Sequence, residues 1–193
     1  MTAPDPKLSR PDTVDPARSR RWLLGTTAAA ASLTGLGVAW WHTQPNQDGL
    51  LASQPVDDGF WSLQWDTPQG GVLSMQSFQG SPLLVNFWAT WCPPCIDELP
   101  LINDFYRQNR NSGWQVLGLA VDKLAPVQAF LRQTTLDFPV GMAGALGPEL
   151  GRRLGNLAGG LPFSVVFGRS GTVLQRKMGR LTADDLALWL GLK

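Results

Sequence analysis

The sequence predicts an α/β domain in which a mixed β-sheet lies at the centre, with helices on both of its faces. Three observations carry this. "PLLVNFW" (82–88) and "WQVLGLAV" (114–121) are short, almost wholly apolar runs, as expected of central strands covered on both sides. Each is followed by a stretch whose apolar residues recur at helical spacing. Later in the chain, "PFSVVFG" and "TVLQRKM" flank the turn Arg169-Ser170-Gly171, the pattern of an antiparallel hairpin.

In chain order, globular patterning starts near Phe60. "FWSLQW" alternates large apolar with polar residues and predicts a strand, which Pro68, Gly70 and Gly71 turn back toward Val72 and Leu73 as an N-terminal β-hairpin. After "PLLVNFW" a helix should start at the cysteines and run to about Arg110, with Leu99, Ile102 and Phe105 or Tyr106 facing inward and a kink at Pro100. "WQVLGLAV" ends at Asp122. "APVQAFLRQ" then predicts a helix with Pro126 in its first turn and Val127, Phe130 and Leu131 facing inward. "DFPVGM" is a short strand, and "GPELGRRLG" a short helix bounded by Pro148 and Gly155. Between them "GMAGALG" lacks the G-x-G-x-x-G spacing of a phosphate loop and is expected to be a flexible loop. In the last segment, "LTADDLALWLGLK", Thr182 and Asp185 make a capping-box-like start and Leu181 can staple onto Leu186. Leu186, Trp189 and Leu190 form its buried stripe.

The chain has 193 residues and a net charge of +1, which indicates no nucleic-acid partner. Apolar content of 44%, with nine tryptophans, is ample for a core. His42 is the only histidine, so histidine-dependent triads and histidine-rich metal cages are excluded downstream of it. Residues 1–21 are rich in Pro, Asp and Arg without apolar periodicity and predict a disordered cytoplasmic tail. From Trp22 to Gln47 there is no Asp, Glu, Lys or Arg. As a helix, 22–41 would be about 30 Å long, the hydrocarbon thickness of a bilayer. Arg18, Arg20 and Arg21 on one flank and Trp40 and Trp41 on the other fit the positive-inside rule and an interfacial aromatic belt. The preferred reading is a transmembrane signal-anchor. The alternative is a cleaved signal, cut near Gly37-Val38-Ala39, with "SRRWLL" resembling a twin-arginine export signal. Both export the remainder of the chain to a compartment that permits disulfides. Residues 42–57, with Pro45, Asn46, Gln47, Gly49 and Pro55, form a linker, and 58–193 a single domain.

Both cysteines, Cys92 and Cys95, stand three positions apart in "VNFWATWCPPCIDELP" (85–100). A random pair would show that spacing about once in a hundred times. A structural zinc site needs four ligands, and Cys-x-x-Cys supplies two. A structural staple across so short a loop removes little entropy from the unfolded chain. A reversible redox couple fits the local physics. The strand ends at Trp88 and the helix begins at Pro93, so Cys92 falls at the N-cap. Pro93 and Pro94 fix φ and lack N–H groups that the first turn leaves unpaired anyway. The remaining free N–H groups and the helix dipole favour a thiolate at Cys92. In such motifs a thiol pKa falls from about 8.5 to roughly 3.5–7.5. Cys95, one turn in, is shielded against the sheet. Cys92 therefore attacks and Cys95 resolves. The thiols carry the electrons themselves, so no cofactor and no metal is implied.

The pattern W-C-x-P-C-x-x-E-x-P across Trp91 to Pro100, together with "GGLPFSVVFGRSG" (159–171), resembles the TlpA/ResA/DsbE-type membrane-anchored thiol–disulfide oxidoreductases of the thioredoxin superfamily. The likeness covers about 55–193 and includes the anchor. It implies a thioredoxin-like fold, with an inserted strand and helix within Asp122–Gly155. Glu98 matches the family's acidic residue, implied to exchange a proton with Cys95. A solvated charge suited to the helix dipole is the plainer reading of that residue. Asn86 stands where cytoplasmic thioredoxins carry a buried Asp, and it cannot titrate. Pro162 matches the cis-proline that faces the cysteines and leaves the backbone of Leu161 to pair with an extended substrate. Trp91, Pro93 and Pro94 complete the implied substrate rim.

The implied function is reduction of exported protein disulfides by a monomer, single-pass in the bacterial inner membrane with its catalytic domain in the periplasm. Implied partners are apocytochrome c awaiting haem attachment, other exported thiol proteins, and a membrane thiol protein that donates electrons. Copper-delivery relatives need Cys-x-x-x-Cys and a distal histidine, and peroxiredoxins a Thr where this chain has Ala89. The rival class is a membrane-tethered, non-catalytic interaction domain with an inert disulfide.

Overall fold

The computed structural model describes residues 58–192. The expectations for 1–21, 22–41 and 42–57 lie outside the described residues. Among the described residues, no helix is long and apolar enough to cross a membrane.

A helical turn, α1 (Asp58–Trp61), precedes two short strands, β1 (Gln64–Asp66) and β2 (Val72–Ser74). β3 (Leu83–Trp88), α2 (Pro93–Asn109), β4 (Gln115–Ala120) and α3 (Leu124–Gln133) follow. Next come β5 (Val140–Met142) and α4 (Gly147–Arg153), then β6 (Phe163–Phe167), β7 (Val173–Met178) and α5 (Ala183–Leu190). The five-stranded sheet has the order β5-β4-β3-β6-β7. β3, β4 and β5 run parallel, while β6 is antiparallel to both β3 and β7. The sheet is mixed, as expected, and α3, β5 and α4 occupy Asp122–Gly155.

All six residues of β3 are buried, because both faces of the sheet are covered. Alternation divides them between two layers. Leu84 and Trp88 pack with Leu99 and Ile102 of α2, Val127 of α3 and Leu186 of α5. Leu83, Val85 and Phe87 pack on the other side with Phe60, Met75 and Leu150. The helix that opens at the cysteines continues through Pro100, burying Leu99, Ile102 and Phe105 and leaving Tyr106 half-buried.

Two local expectations fail. "FWSLQW" is not one strand: Phe60 and Trp61 belong to α1, and the strand is Gln64–Asp66. Both rings sit on Phe167, Phe60 stacked at 4.8 Å and Trp61 edge-on at 5.4 Å. Consecutive strand residues point to opposite faces, so a regular strand could not aim both at one ring as this helical turn does. The hairpin itself forms, as a separate two-stranded sheet with Trp65 opposite Leu73. It is seated where Gly141 leaves room: a Cβ there would lie 2.8 Å from the Trp65 Cβ. "GMAGALG" is not a flexible loop either. Met142 ends β5, the Ala143 N–H donates to the Ala120 carbonyl at 2.9 Å, and a 3₁₀ turn at Gly144–Leu146 leads into α4. Gly147 packs so closely on Val121 that a Cβ would approach it to 2.6 Å.

α5 starts with a reciprocal capping box: the Asp185 N–H donates to Thr182 Oγ1, and the Thr182 N–H to Asp185 Oδ2. Lys177 of β7 adds an ion pair to the same carboxylate at 2.6 Å. This cap fixes the turn that carries Leu181 into the core. Thr182→Ala should therefore lower stability by about 1 kcal/mol, read as a reduced urea midpoint with an unchanged slope. An unchanged midpoint would show that the cap does not hold this turn.

Candidate active site

The site is built at the end of β3. After Trp88 the chain leaves the sheet through Ala89, Thr90 and Trp91, and α2 begins at Pro93 with Cys92 as its N-cap, in extended backbone (φ −105°, ψ 97°). A carboxylate secures the loop. Asp122, just past β4, accepts from the Thr90 N–H at 2.8 Å and from Thr90 Oγ1 at 2.6 Å. Its other oxygen takes the Lys123 N–H at 2.7 Å.

Cys92 and Cys95 are joined by a disulfide. Cys92 retains 5% of its surface and Cys95 none, so only the first sulfur borders solvent. Trp91 beside it is 66% exposed. Pro93 and Pro94 are exposed as well. The pairing of Phe87 with Phe163 brings Pro162 to the end of the sheet from which this loop departs. The Leu161–Pro162 peptide bond is cis, Pro162 is buried, and half-buried Leu161 packs against the layer that contains both cysteines.

The expected free N–H groups are not there. Pro93 and Pro94 have none, and the first available donors, the Cys95 and Ile96 N–H groups, both close on the Cys92 carbonyl at 3.0 and 3.2 Å. The Cys92 N–H is itself bonded to the Ala89 carbonyl at 3.2 Å. What remains to favour a thiolate is the helix dipole rather than a direct hydrogen bond.

Glu98 lies one turn beyond Cys95 and is completely buried, so it is not a solvated helix charge. Its Oε1 accepts from Asn86 Nδ2 at 2.7 Å and its Oε2 from the Leu181 N–H at 2.6 Å. Asn86 Nδ2 also donates to Ser164 Oγ at 3.0 Å, across the register pair Asn86–Ser164. Burial pushes the Glu98 carboxyl above the ordinary carboxylate range, and the Leu181 and Asn86 donors, with the charges of Arg180 and Lys177, offset this only in part. Ser164, Asp122 and the Leu181 N–H escaped the sequence reading. Ser164 had a signal: like Asn86, it is the single polar residue in a wholly buried strand.

A carboxyl that holds its proton more tightly folded than unfolded contributes stability below its unfolded pKa, about 4.3. It loses that contribution as pH rises through the raised folded value. Glu98→Gln cannot ionise. Denaturant titrations of the oxidised proteins should show the variant gaining stability relative to the parent as pH rises through this window. A difference that stays constant from pH 4 to 8 would contradict the raised carboxyl.

The Redoxin family model matches residues 62–187. Over 123 residues the chain is 31% identical to the thiol-disulfide oxidoreductase ResA of Bacillus thuringiensis subsp. konkukian, covering 63% of this chain and 69% of that protein. It is 26% identical over 161 residues to the sporulation thiol-disulfide oxidoreductase A of Bacillus subtilis, covering 81% and 91%. Among solved structures, a putative thiol:disulfide interchange protein DsbE from Chlorobium tepidum superposes with a TM-score of 0.61 at 27% identity, over 72% of this chain and 93% of that one. With its thioredoxin-like fold and its Cys92–Cys95 pair, the chain belongs to the Redoxin family, as a thiol–disulfide oxidoreductase of the type of ResA, the sporulation oxidoreductase and DsbE.

Proposed function

We propose that the protein is a reductase of disulfides in exported proteins, and that Cys92, Cys95 and Glu98 carry the reaction. The observation that bears most weight is the asymmetry of the pair: Cys92 borders solvent at the mouth of α2, and Cys95 is sealed beneath it. In the reduced enzyme the Cys92 thiolate attacks a substrate disulfide. One substrate sulfur leaves as a thiolate and the other stays bonded to Cys92. Cys95 then gives its proton to the Glu98 carboxylate and attacks Cys92, so that the Cys92–Cys95 bond forms and the second substrate sulfur departs. Two electrons have passed from the enzyme dithiol to the substrate disulfide. A membrane dithiol protein returns them by the same exchange in reverse. Trp91, Pro93, Pro94, Leu161 and Pro162 form the surface on which the substrate segment lies.

The exported substrates include apocytochrome c, whose cysteines must be reduced before haem is attached. The uncharged stretch 22–41, with arginines before it and tryptophans at its end, supports a single-pass anchor that holds the domain on the periplasmic side of a bacterial inner membrane.

Dithiol-coupled reduction of insulin should be lost in Cys92→Ser. Cys95→Ser should instead accumulate mixed disulfides at Cys92, and mass spectrometry of these adducts names the substrate and the electron donor. Glu98→Gln should slow the resolving step by on the order of a hundredfold. Turnover in Cys92→Ser equal to that of the parent removes the enzymatic reading, and an unchanged resolving rate removes the role of Glu98.

A further inference from the structure

Beneath the disulfide, three fully buried polar side chains interrupt an otherwise apolar layer: Asn86 of β3, Glu98 of α2 and Ser164 of β6. The two donors to the Glu98 carboxyl differ in kind. Leu181 offers a backbone N–H, which can only donate, so Oε2 must remain an acceptor whether or not the group is protonated. Asn86 offers a side-chain amide, which can be turned over to present oxygen in place of NH₂. Its Oδ1 is buried and makes no hydrogen bond in the present orientation. Its second partner, Ser164 Oγ, is a hydroxyl, and a hydroxyl can accept from the NH₂ or donate to the oxygen. Of the two carboxyl oxygens, only Oε1 faces a side chain that can reverse to accept a proton held there.

We propose that Asn86 is a positioning residue for the exchange reaction: its amide donates to Oε1 while Glu98 is ionised and turns over to accept from Oε1–H when Glu98 is neutral, with the Ser164 hydroxyl reversing in step. This rests on the role given above to Glu98. Only the proton that moves between Cys95 and Glu98 changes place; no bond to Asn86 or Ser164 is made or broken beyond these hydrogen bonds.

The cations that act on Glu98 come from other elements. Lys177 of β7 and Arg180 after it favour the anion, and each has an acidic partner, Asp185 of α5 and Asp97 of α2 respectively. α2 also carries Cys95, held in the disulfide, and Asp184 in the first turn of α5 is exposed. β3 and β6 contribute no titratable side chain. On the sheet side, the polarity of the site is set by Asn86 and Ser164.

The test follows the carboxyl-carbon resonance of Glu98 and the side-chain amide resonances of Asn86 against pH in the oxidised full chain, labelled with ¹³C and ¹⁵N. The Asn86 signals should move with the Glu98 midpoint and lose that transition in Glu98→Gln. In Asn86→Leu the midpoint should rise by about one pH unit, the difference between a hydrogen bond to a charged and to a neutral partner. Asn86→Asp, which preserves shape, sets a second carboxylate against Oε1 and should raise the midpoint further. Asn86 signals indifferent to the titration, or a midpoint unmoved in both variants, would overturn the proposal. Because no exchange occurs in the oxidised protein, that failure is separable from failure of the Glu98 role, which the resolving rate of Glu98→Gln reports.

Discussion

The chemistry of this protein depends on how α2 starts. β3 delivers the chain to the edge of the sheet, Asp122 pins Thr90, and two prolines force the helix to begin directly after Cys92. The same prolines remove two N–H groups, and the next two close on the Cys92 carbonyl. What the start of α2 offers the first sulfur is therefore the field of a helix end and not a dedicated donor. A field of this kind lowers a thiol pKa less than a field joined by hydrogen bonds. That suits an attacking thiol, since the best one has a pKa near ambient pH, where thiolate fraction and intrinsic nucleophilicity are both high.

The second feature is the polar seam under the disulfide. Burying Glu98, Asn86 and Ser164 in an apolar layer is costly, and the layer still leaves the Asn86 oxygen unpaired. Nothing in the packing requires it: Leu84, Trp88 and Val166, on the same face of the same strands, are ordinary core residues. The seam joins four parts of the fold, since Glu98 on α2 reaches Asn86 on β3, Ser164 on β6 through that amide, and the backbone ahead of α5. Glu98 is thereby tied to the capped start of the C-terminal helix as well as to the sheet.

Much of this was legible in the sequence, for physical reasons that also mark where legibility ends. The central strands stood out because burial on both faces leaves little but apolar residues in "PLLVNFW" and "WQVLGLAV". The start of α2 stood out because Pro93 and Pro94 can occupy few other places. Phe60 and Trp61 were misread because period-two alternation carries no record of a distant aromatic partner, here Phe167. Asp122 and Thr90 are 32 positions apart and meet only because β3 and β4 are parallel neighbours. The donor from Leu181 is a backbone group, which leaves no mark in a side-chain pattern.

The central claim is that the start of α2 makes Cys92 a better nucleophile than an ordinary thiol. It is tested most directly by the rate of iodoacetamide alkylation of Cys92 in the reduced protein as a function of pH, with Cys95 replaced by serine. The account predicts a midpoint near about 7, below the value of about 8.5 for a free thiol. A midpoint at or above the free-thiol value, or a sulfur that does not react, would contradict it.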